Sequence, residues 1–374
     1  MIPIVSDTHF GSKSFNKGIF ELMMLFFEKQ FFPFLLKNKV KDVLHLGDVF
    51  HNRNIIDLYI LQQVKQRFFQ FFEDNNINLH IVVGNHDIYY KTTIEYNALV
   101  ENTKEFKNII IYDKPTKETI GRYTVNLVPW VINYEKDLDL SVNADICCGH
   151  FDIQGFKMTK TQLSEEGADS EMFKKYPLVF SGHYHVHGSK DNIHYVGTPY
   201  QINWADYDED KGFYVLKEDF KYEFIQNETN ARFLKLYYDE IDDRVSVRVG
   251  GLIRGRVVEL KNINEAIELA SNNYVRLITN NVMNKTMLDA FWTSLTRVSR
   301  DDYKIEILDA NEVIESFDVS ELEEQIQCES DVFSTVRTFL DGMEFEKDID
   351  KSVLLGLFES LYKEASEITD DGEI

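Results

Sequence analysis

Residues 42–51 read Asp-Val-Leu-His-Leu-Gly-Asp-Val-Phe-His, an apolar run cut by a glycine and followed at once by a carboxylate and then an imidazole. A short run rich in Val and Leu is how a buried strand reads. A glycine at its end permits the tight turn that presents the next side chains at the strand tip. Four more runs in the first 200 residues end in polar clusters. Residues 2–6 lead into Asp7-Thr-His9, 79–83 into Gly84-Asn-His-Asp87, 144–148 into Gly149-His150, and 178–181 into Gly182-His-Tyr-His185. Two aromatic-rich helical patterns, about 18–37 and 57–75, separate the first three runs. This alternation predicts a layered α/β domain with its chemistry on loops along one sheet edge.

The side chains at those five tips form a coherent donor set. Asp7, Asp48, Asn85, His9, His150, His183 and His185 offer seven oxygen and nitrogen ligands and no thiolate. Such a set suits Mn, Fe or Zn in a functional site and not a Cys-rich structural zinc site. Seven ligands are too many for one ion and right for two, with one carboxylate bridging. Two ions about 3.5–4 Å apart can generate a hydroxide and clamp the oxygens of a phosphoryl displacement. A lone histidine near a strand is more often a satisfied polar residue, and His45, His80, His187 and His194 are read that way. The same reading could cover any single tip cluster, but not five in a row.

Charge at first argues against a phosphate-bearing partner. The chain carries 40 basic and 63 acidic residues, a net charge of −23, and polyanions are bound by clustered Lys and Arg. The imbalance is local, however. Residues 1–200 carry 21 basic and 24 acidic side chains, whereas residues 301–374 carry 5 and 23, a balance of −18. The acidity belongs to a tail. No stretch approaches the length of uncharged apolar chain that spans a bilayer, so no membrane association is expected. Met1-Ile-Pro-Ile-Val-Ser runs straight into a strand pattern without a signal-peptide pattern. Three cysteines (Cys147, Cys148, Cys328) make no disulfide framework, and a reducing, cytoplasmic setting is expected.

The remaining chain divides by pattern. Strands near 213–216 and 222–225 are expected to complete a second sheet. Residues 254–308 show a compact βαβαβ rhythm, with strands at 256–260, 274–279 and 303–308 and helices at 264–271 and 285–299. Residues 309–331 read as an acidic linker. Two apolar stripes follow, Val332, Val336, Phe339, Leu340 and Met343, then Leu354, Leu357, Phe358, Leu361 and Tyr362, at the spacing of amphipathic helices. Their tethered placement suits docking on the helices of a partner.

The order DxH, GDxxH, GNHD, GH and GHxH resembles the calcineurin-like metallophosphoesterases. The longer strings Asp7-Thr-His-Phe-Gly11, His45-Leu-Gly-Asp-Val-Phe-His51 and Gly149-His-Phe151 are similar to the SbcD-type double-strand-break repair nucleases. Tyr112-Asp-Lys-Pro115, Leu127-Val-Pro-Trp130 and Val196-Gly-Thr-Pro-Tyr200 resemble the phage recombination nucleases of that group. The likeness spans about residues 2–235. It implies a four-layer sandwich of two β-sheets flanked by helices, a small α+β capping domain and C-terminal helices. The implied domains are a nuclease domain over 1–235, a DNA-binding cap over 236–308, the linker 309–331 and a partner-binding segment 332–374.

The resemblance also implies roles. Asp7, His9, Asp48 and His185 would hold one ion, and Asp48, Asn85, His150 and His183 the other, with Mn²⁺ favoured over Mg²⁺, Fe or Zn. His86 would stabilise or protonate the leaving oxygen. His51 matches a histidine linked to exonuclease action on duplex ends. Asp87 would either orient His86 or shape its turn. The implied function is a 3′-to-5′ exonuclease on duplex DNA and an endonuclease on single strands. Such a subunit serves an SMC-like ATPase (SbcC type) in recombination, repair and replication. A homodimer through helices near 57–75 and 93–102 is also implied. Two other readings remain at this point: a stand-alone phosphoesterase acting on small nucleotides, and a non-catalytic scaffold of the same fold.

Overall fold

The computed structural model describes residues 1–134, 140, 142–158, 162–229, 232–241, 244–271, 273–280, 282–298 and 305–309. The two striped tail segments and all of the acidic linker but its first residue lie outside the described residues.

Two six-stranded sheets pack face to face. In the first, Ile2–Val5, Asp42–His45, Asn78–Val82 and Ile109–Tyr112 run parallel in that spatial order. Gly212–Leu216 and Tyr222–Gln226 extend the other edge antiparallel. In the second, Tyr123–Val128, Ile146–His150, Leu178–Gly182 and Ile193–Tyr195 are parallel, with Thr116–Ile120 and Gly188–Lys190 on the outer edges. Ile4, Leu44 and Val82 of the first sheet meet Val125, Leu127, Ile146 and Phe180 of the second in a core shielded from water. Strands buried on both faces read as continuous apolar runs, and that is why these were legible.

One expectation is corrected here. The strands at 212–216 and 222–226 belong to the first sheet and not the second: Ile2, Pro3 and Ile4 register with Leu216, Val215 and Tyr214. Periodicity identifies a strand but not its neighbour, and this chain crosses back after finishing the second sheet.

The outer face of the first sheet is covered by two helices, 17–37 and 58–74. The side chain of Asn16 caps the first by accepting from the Ile19 N–H, and Asp57 caps the second at Ile60. Each helix widens to a π-type stretch midway, at Phe27–Phe31 and Val64–Phe69. The first widening lies just before Pro33, which lacks an N–H and would clash in a regular ladder. Phe26, Phe27, Phe31, Phe68, Phe69 and Phe72 are wholly buried within the chain. Phe68 is central, packing on Phe10, Phe27 and Phe72 at centroid distances of 5.2, 4.8 and 5.3 Å. Phe10 follows the first tip cluster directly, so this core also backs the site. Phe68→Ala is expected to destabilise the chain by about 3–5 kcal/mol, read from the midpoint of denaturant unfolding.

The helix expected near 93–102 is shorter, Ala98–Asn102, with Asn97 as its cap. Residues 88–97 form a loop closed by a bridge between Ile88 and Asn97 and by the Tyr89 N–H on the Tyr96 carbonyl.

A third sheet of five strands takes the spatial order Arg256–Glu259, Arg244–Ile253, Phe233–Ile241, Tyr274–Asn280, Ile305–Asp309. Helices Ile263–Ala270 and Lys285–Val298 bury Ala266, Ala270, Phe291 and Leu295 against it. The sheet starts at Phe233, three residues before residue 236, where the sequence reading starts the cap, and its first two strands precede the βαβαβ rhythm. No helix among the described residues is long and apolar enough to cross a membrane.

Candidate metal centre at the strand tips

The five tip clusters converge at the edge where the two sheets meet. Asp7 and His9 follow the first strand, Asp48 the second and Asn85 the third, while His150 ends its strand and His183 and His185 follow theirs. The loops are tied to one another by backbone bonds. Asp7 donates its N–H to the Gly47 carbonyl and His9 to that of Asp48, while Tyr200 holds the Thr8 carbonyl through its hydroxyl. Gly47 has φ +93°, and a side chain there would strike Gly84 and His150. A Cβ on Gly84 would collide with the Asp48 carboxylate. The glycines let three loops approach closely.

Backbone strain is concentrated in the same place. Asp7, His9, Asp48 and His183 adopt φ values of +53°, +44°, +56° and +93°. Each such non-glycine residue costs about 1–3 kcal/mol and persists only where the surroundings enforce it. Four among seven candidate ligands mark this edge as a functional site.

The donor atoms face one another. His185 Nε2 and His9 Nε2 are 3.0 Å apart. The Asn85 amide oxygen is 2.8 Å from His150 Nε2 and 3.0 Å from His183 Nδ1. Between these groups sits Asp48, whose Oδ2 is 3.4 Å from His150 Nε2 and 3.7 Å from His9 Nε2. Ligand atoms of Asp7, His9 and His185 lie within 4.8 Å of one another, as do those of Asp48, His150 and His183. Ligands bonded to one ion at about 2.0–2.2 Å are separated by such distances. His9, His51 and His86 make a third cluster at the same spacing.

Hydrogen bonds fix the rings. His150 Nδ1 lies 2.6 Å from the Leu46 carbonyl, so that nitrogen donates to it and Nε2 is turned toward the donor group. His86 is set the same way by the His51 carbonyl, 2.5 Å from its Nδ1. Asp87 resolves its two readings in favour of the turn. Its carboxylate accepts the backbone N–H groups of Asp48, Val49, Phe50 and Gly84 at 2.8–3.2 Å. It thereby locks the Asp48 loop onto the third tip.

Electrostatics show a site short of positive charge. Burial, with Asp48 nearby, pushes Asp7 and Asp87 up to about 7. Burial works against Asp48 ionising, but the imidazoles of His150 and His86 outweigh it and hold the carboxyl well below its ordinary value. His150 follows the converse pattern: burial disfavours its charge, the Asp48 carboxylate prevails, and it rises to about 9. Burial, then neighbouring imidazoles, holds His9 and His183 far below their usual value. His9 and His183 are thus held neutral, as a divalent cation requires of its ligands, and His150 would give up its proton to a cation arriving beside Asp48. The residues present therefore fit a pair of metal ions.

None of the histidines read as structural belongs to these donor groups. His45 pairs with the Thr8 hydroxyl, His80 with the Tyr112 hydroxyl and Asp42, and His187 stacks on Phe224. Sequence reasoning missed two cations. Arg53 stands near enough to His86 to help lower its pKa, behind burial as the main cause. Lys211 is buried beside His185 and donates to its carbonyl. A lysine closing the acidic run Asp206-Tyr-Asp-Glu-Asp-Lys211 reads as solvated surface, and nothing local signals otherwise.

Known proteins bear on this geometry. The chain is 30% identical over 230 residues to exonuclease subunit 1 of Enterobacteria phage T4, covering 60% of this chain and 67% of that one. It is 25% identical over 277 residues to the DNA double-strand break repair protein Mre11 of Nanoarchaeum equitans, covering 66% and 74%. Among solved structures, GAP50, the anchor in the inner membrane complex of Plasmodium, covers 83% of this chain and 96% of its own at 12% identity. Its TM-score of 0.34 is too low to argue from. The family model for calcineurin-like phosphoesterases matches residues 2–211, which contain both sheets' catalytic-edge loops and all seven donors. With that match, and with the donors gathered as a phosphoesterase centre requires, the chain belongs to the calcineurin-like phosphoesterase family.

Proposed function

We propose that the chain is a Mn²⁺-dependent DNA nuclease, the nuclease subunit of an SMC-like ATPase–nuclease complex that processes DNA ends in recombination, repair and replication. The observation that carries this is the pair of donor groups meeting at Asp48, in a chain whose relatives are a phage exonuclease subunit and a double-strand break repair protein. Asp7, His9, Asp48 and His185 would hold one ion, and Asp48, Asn85, His150 and His183 the other. Bound there, two divalent ions would supply a hydroxide nucleophile and offset the phosphate charge.

The chain's own groups do the rest. Asp48 fixes the two donor groups relative to each other. His86, its Nδ1 proton engaged by the His51 carbonyl, offers Nε2 to hold a proton for the leaving oxygen. Burial depresses its pKa, and an arriving phosphate raises it again. His51, half-buried beside His9, is assigned to action on duplex ends, and Arg53 adds a positive charge beside His86. The expected activities are 3′-to-5′ cleavage of duplex ends and endonucleolytic cleavage of single strands. The phosphodiester backbone is recognised rather than base sequence. The near-neutral balance of residues 1–200 leaves room for DNA at this edge.

The nuclease domain (1–235) and cap (236–308) would flank the DNA, in a cytoplasmic setting in keeping with the free buried thiols of Cys147 and Cys148. Homodimerisation would use Ile55, just before the second helix, and Leu58, its first residue, apolar and 62% and 81% exposed, because the buried phenylalanines of the two long helices are already committed to the core. The segment 332–374 would dock on the ATPase. Deleting 331–374 is expected to abolish co-purification with that subunit while leaving Mn²⁺-dependent cleavage by the isolated chain intact. Unchanged co-purification would refute this assignment of the tail. Function itself is tested by offering linear duplex DNA, single-stranded circles and a small phosphodiester to the purified chain in Mn²⁺. Cleavage of both DNAs is expected, and hydrolysis of the small ester alone would replace this reading with a small-nucleotide phosphoesterase.

A further inference from the structure

Lys211 is the most deeply buried cation near the site, its side chain only 3% exposed. Its ammonium donates to Asp206 Oδ1 at 2.6 Å, Glu209 Oε2 at 2.9 Å and the His185 carbonyl at 2.9 Å. Three donors meet three acceptors, the full capacity of an ammonium. A buried charge is tolerated only when paired and hydrogen-bonded in this manner. The same His185 carbonyl also accepts the Thr198 N–H at 3.1 Å. The peptide of His185 is thus clamped from behind, while its ring faces His9.

The other face of the same segment is held by the third sheet. Trp204 packs on Phe233 with centroids 5.0 Å apart, and the Arg276 guanidinium lies 4.2 Å over its ring. The Lys235 ammonium sits 4.6 Å from the centre of the Tyr207 ring. Asp208 accepts the Gly255 N–H at 2.7 Å, and Gln201 accepts that of Phe233 at 2.8 Å. Residues 200–211 therefore form a strap with His185 at one face and the third sheet at the other. Among the described residues, Asp48, Asn85, His150 and His183 make no hydrogen bond with that strap: the Asp48 N–H is held by Asp87, His150 by the Leu46 carbonyl, and the His183 N–H reaches across to Asp7.

We infer that Lys211 is a positioning residue for His185, and that the strap 200–211 makes the seating of the third sheet set the geometry of the Asp7–His9–His185 group but not of the Asp48–Asn85–His150–His183 group. The inference rests on the two-ion reading and adds to it a direction: a shift of the third sheet reaches one ion selectively. Outer partners of metal ligands commonly alter affinity by about 10–100-fold, and here the change is confined to one of two sites.

The test is a Mn²⁺ binding isotherm on the full chain for wild type, Lys211→Met, Lys211→Arg and Arg276→Ala, with kcat and KM on linear duplex DNA. Lys211→Met and Arg276→Ala are expected to weaken one ion by about 10–100-fold and leave the other unchanged. Lys211→Arg, which keeps charge and donors, is expected to recover part of the loss. Both substitutions should lower kcat with KM for DNA retained. Arg276→Ala keeps the test valid if Lys211→Met does not fold, because it leaves the buried ion cluster intact. Equal weakening of both ions would mark a general structural role and overturn the inference, as would two unchanged ions. A wild type that binds fewer than two ions would overturn the two-ion reading itself, and is told apart because it needs no substitution.

Discussion

Asp48→Ala is expected to abolish Mn²⁺-dependent DNA cleavage, by more than about 10³-fold, the scale seen when preorganised charge stabilisation is lost from an active site. Among the described residues, Asp48 is the one carboxylate within 4 Å of ring nitrogens in both donor groups, His9 on one side and His150 on the other. Removing it leaves each group a ligand short and lifts the bridge between them. The variant is also expected to stay folded, because the loop is held by backbone bonds to Asp87, which do not involve the Asp48 side chain. Relief of crowding should partly offset the lost contacts: burial and the Asp48 charge together keep Asp7 and Asp87 up near 7. Undiminished cleavage by a folded Asp48→Ala protein would remove the two-ion site from consideration.

His86→Ser is expected to separate chemistry from metal binding. The His86 ring is not part of the Asp7–His9–His185 or Asp48–His150–His183 groups. Its backbone N–H, retained in serine, donates to Asp48 Oδ1 at 2.8 Å. Metal affinity should therefore survive, while loss of a general acid lowers kcat by about 10²–10⁴-fold. The pH profile gives the sign. If His86 acts protonated, wild-type kcat falls as pH rises through its pKa in the complex, and this alkaline limb disappears in the variant. A variant that cuts as fast as wild type refutes the acid role.

The donor edge was legible because its chemistry is local in sequence. Each donor lies at or within a few residues of a strand end, and buried parallel strands announce themselves as unbroken runs of Val, Ile and Leu. Assembly was less so. Residues 116–120, Thr-Lys-Glu-Thr-Ile, form an edge strand with three exposed side chains and carry no apolar signal. The paired strands Phe233–Ile241 and Arg244–Ile253 flank the charged sequence Asp-Asp-Arg at 242–244 and carry no unbroken apolar run. Asp87 could not be assigned from sequence, since three of its four backbone N–H partners are brought in by the Asp48 loop. Lys211 was missed for the same reason: its burial depends on Asp206 and Glu209 folding back around it, a tertiary arrangement that an acidic run does not encode. Net charge was the most misleading figure. Its −23 described a tail, and the edge itself lacks positive charge that bound cations would supply.

The most direct measurement is anomalous X-ray diffraction at the manganese edge from crystals of the full chain grown in Mn²⁺. Two peaks are predicted, one among Asp7, His9 and His185 and one among Asn85, His150 and His183, with the Asp48 carboxylate reaching both. A single peak, or none beside Asp48, would contradict a dinuclear centre at the strand tips.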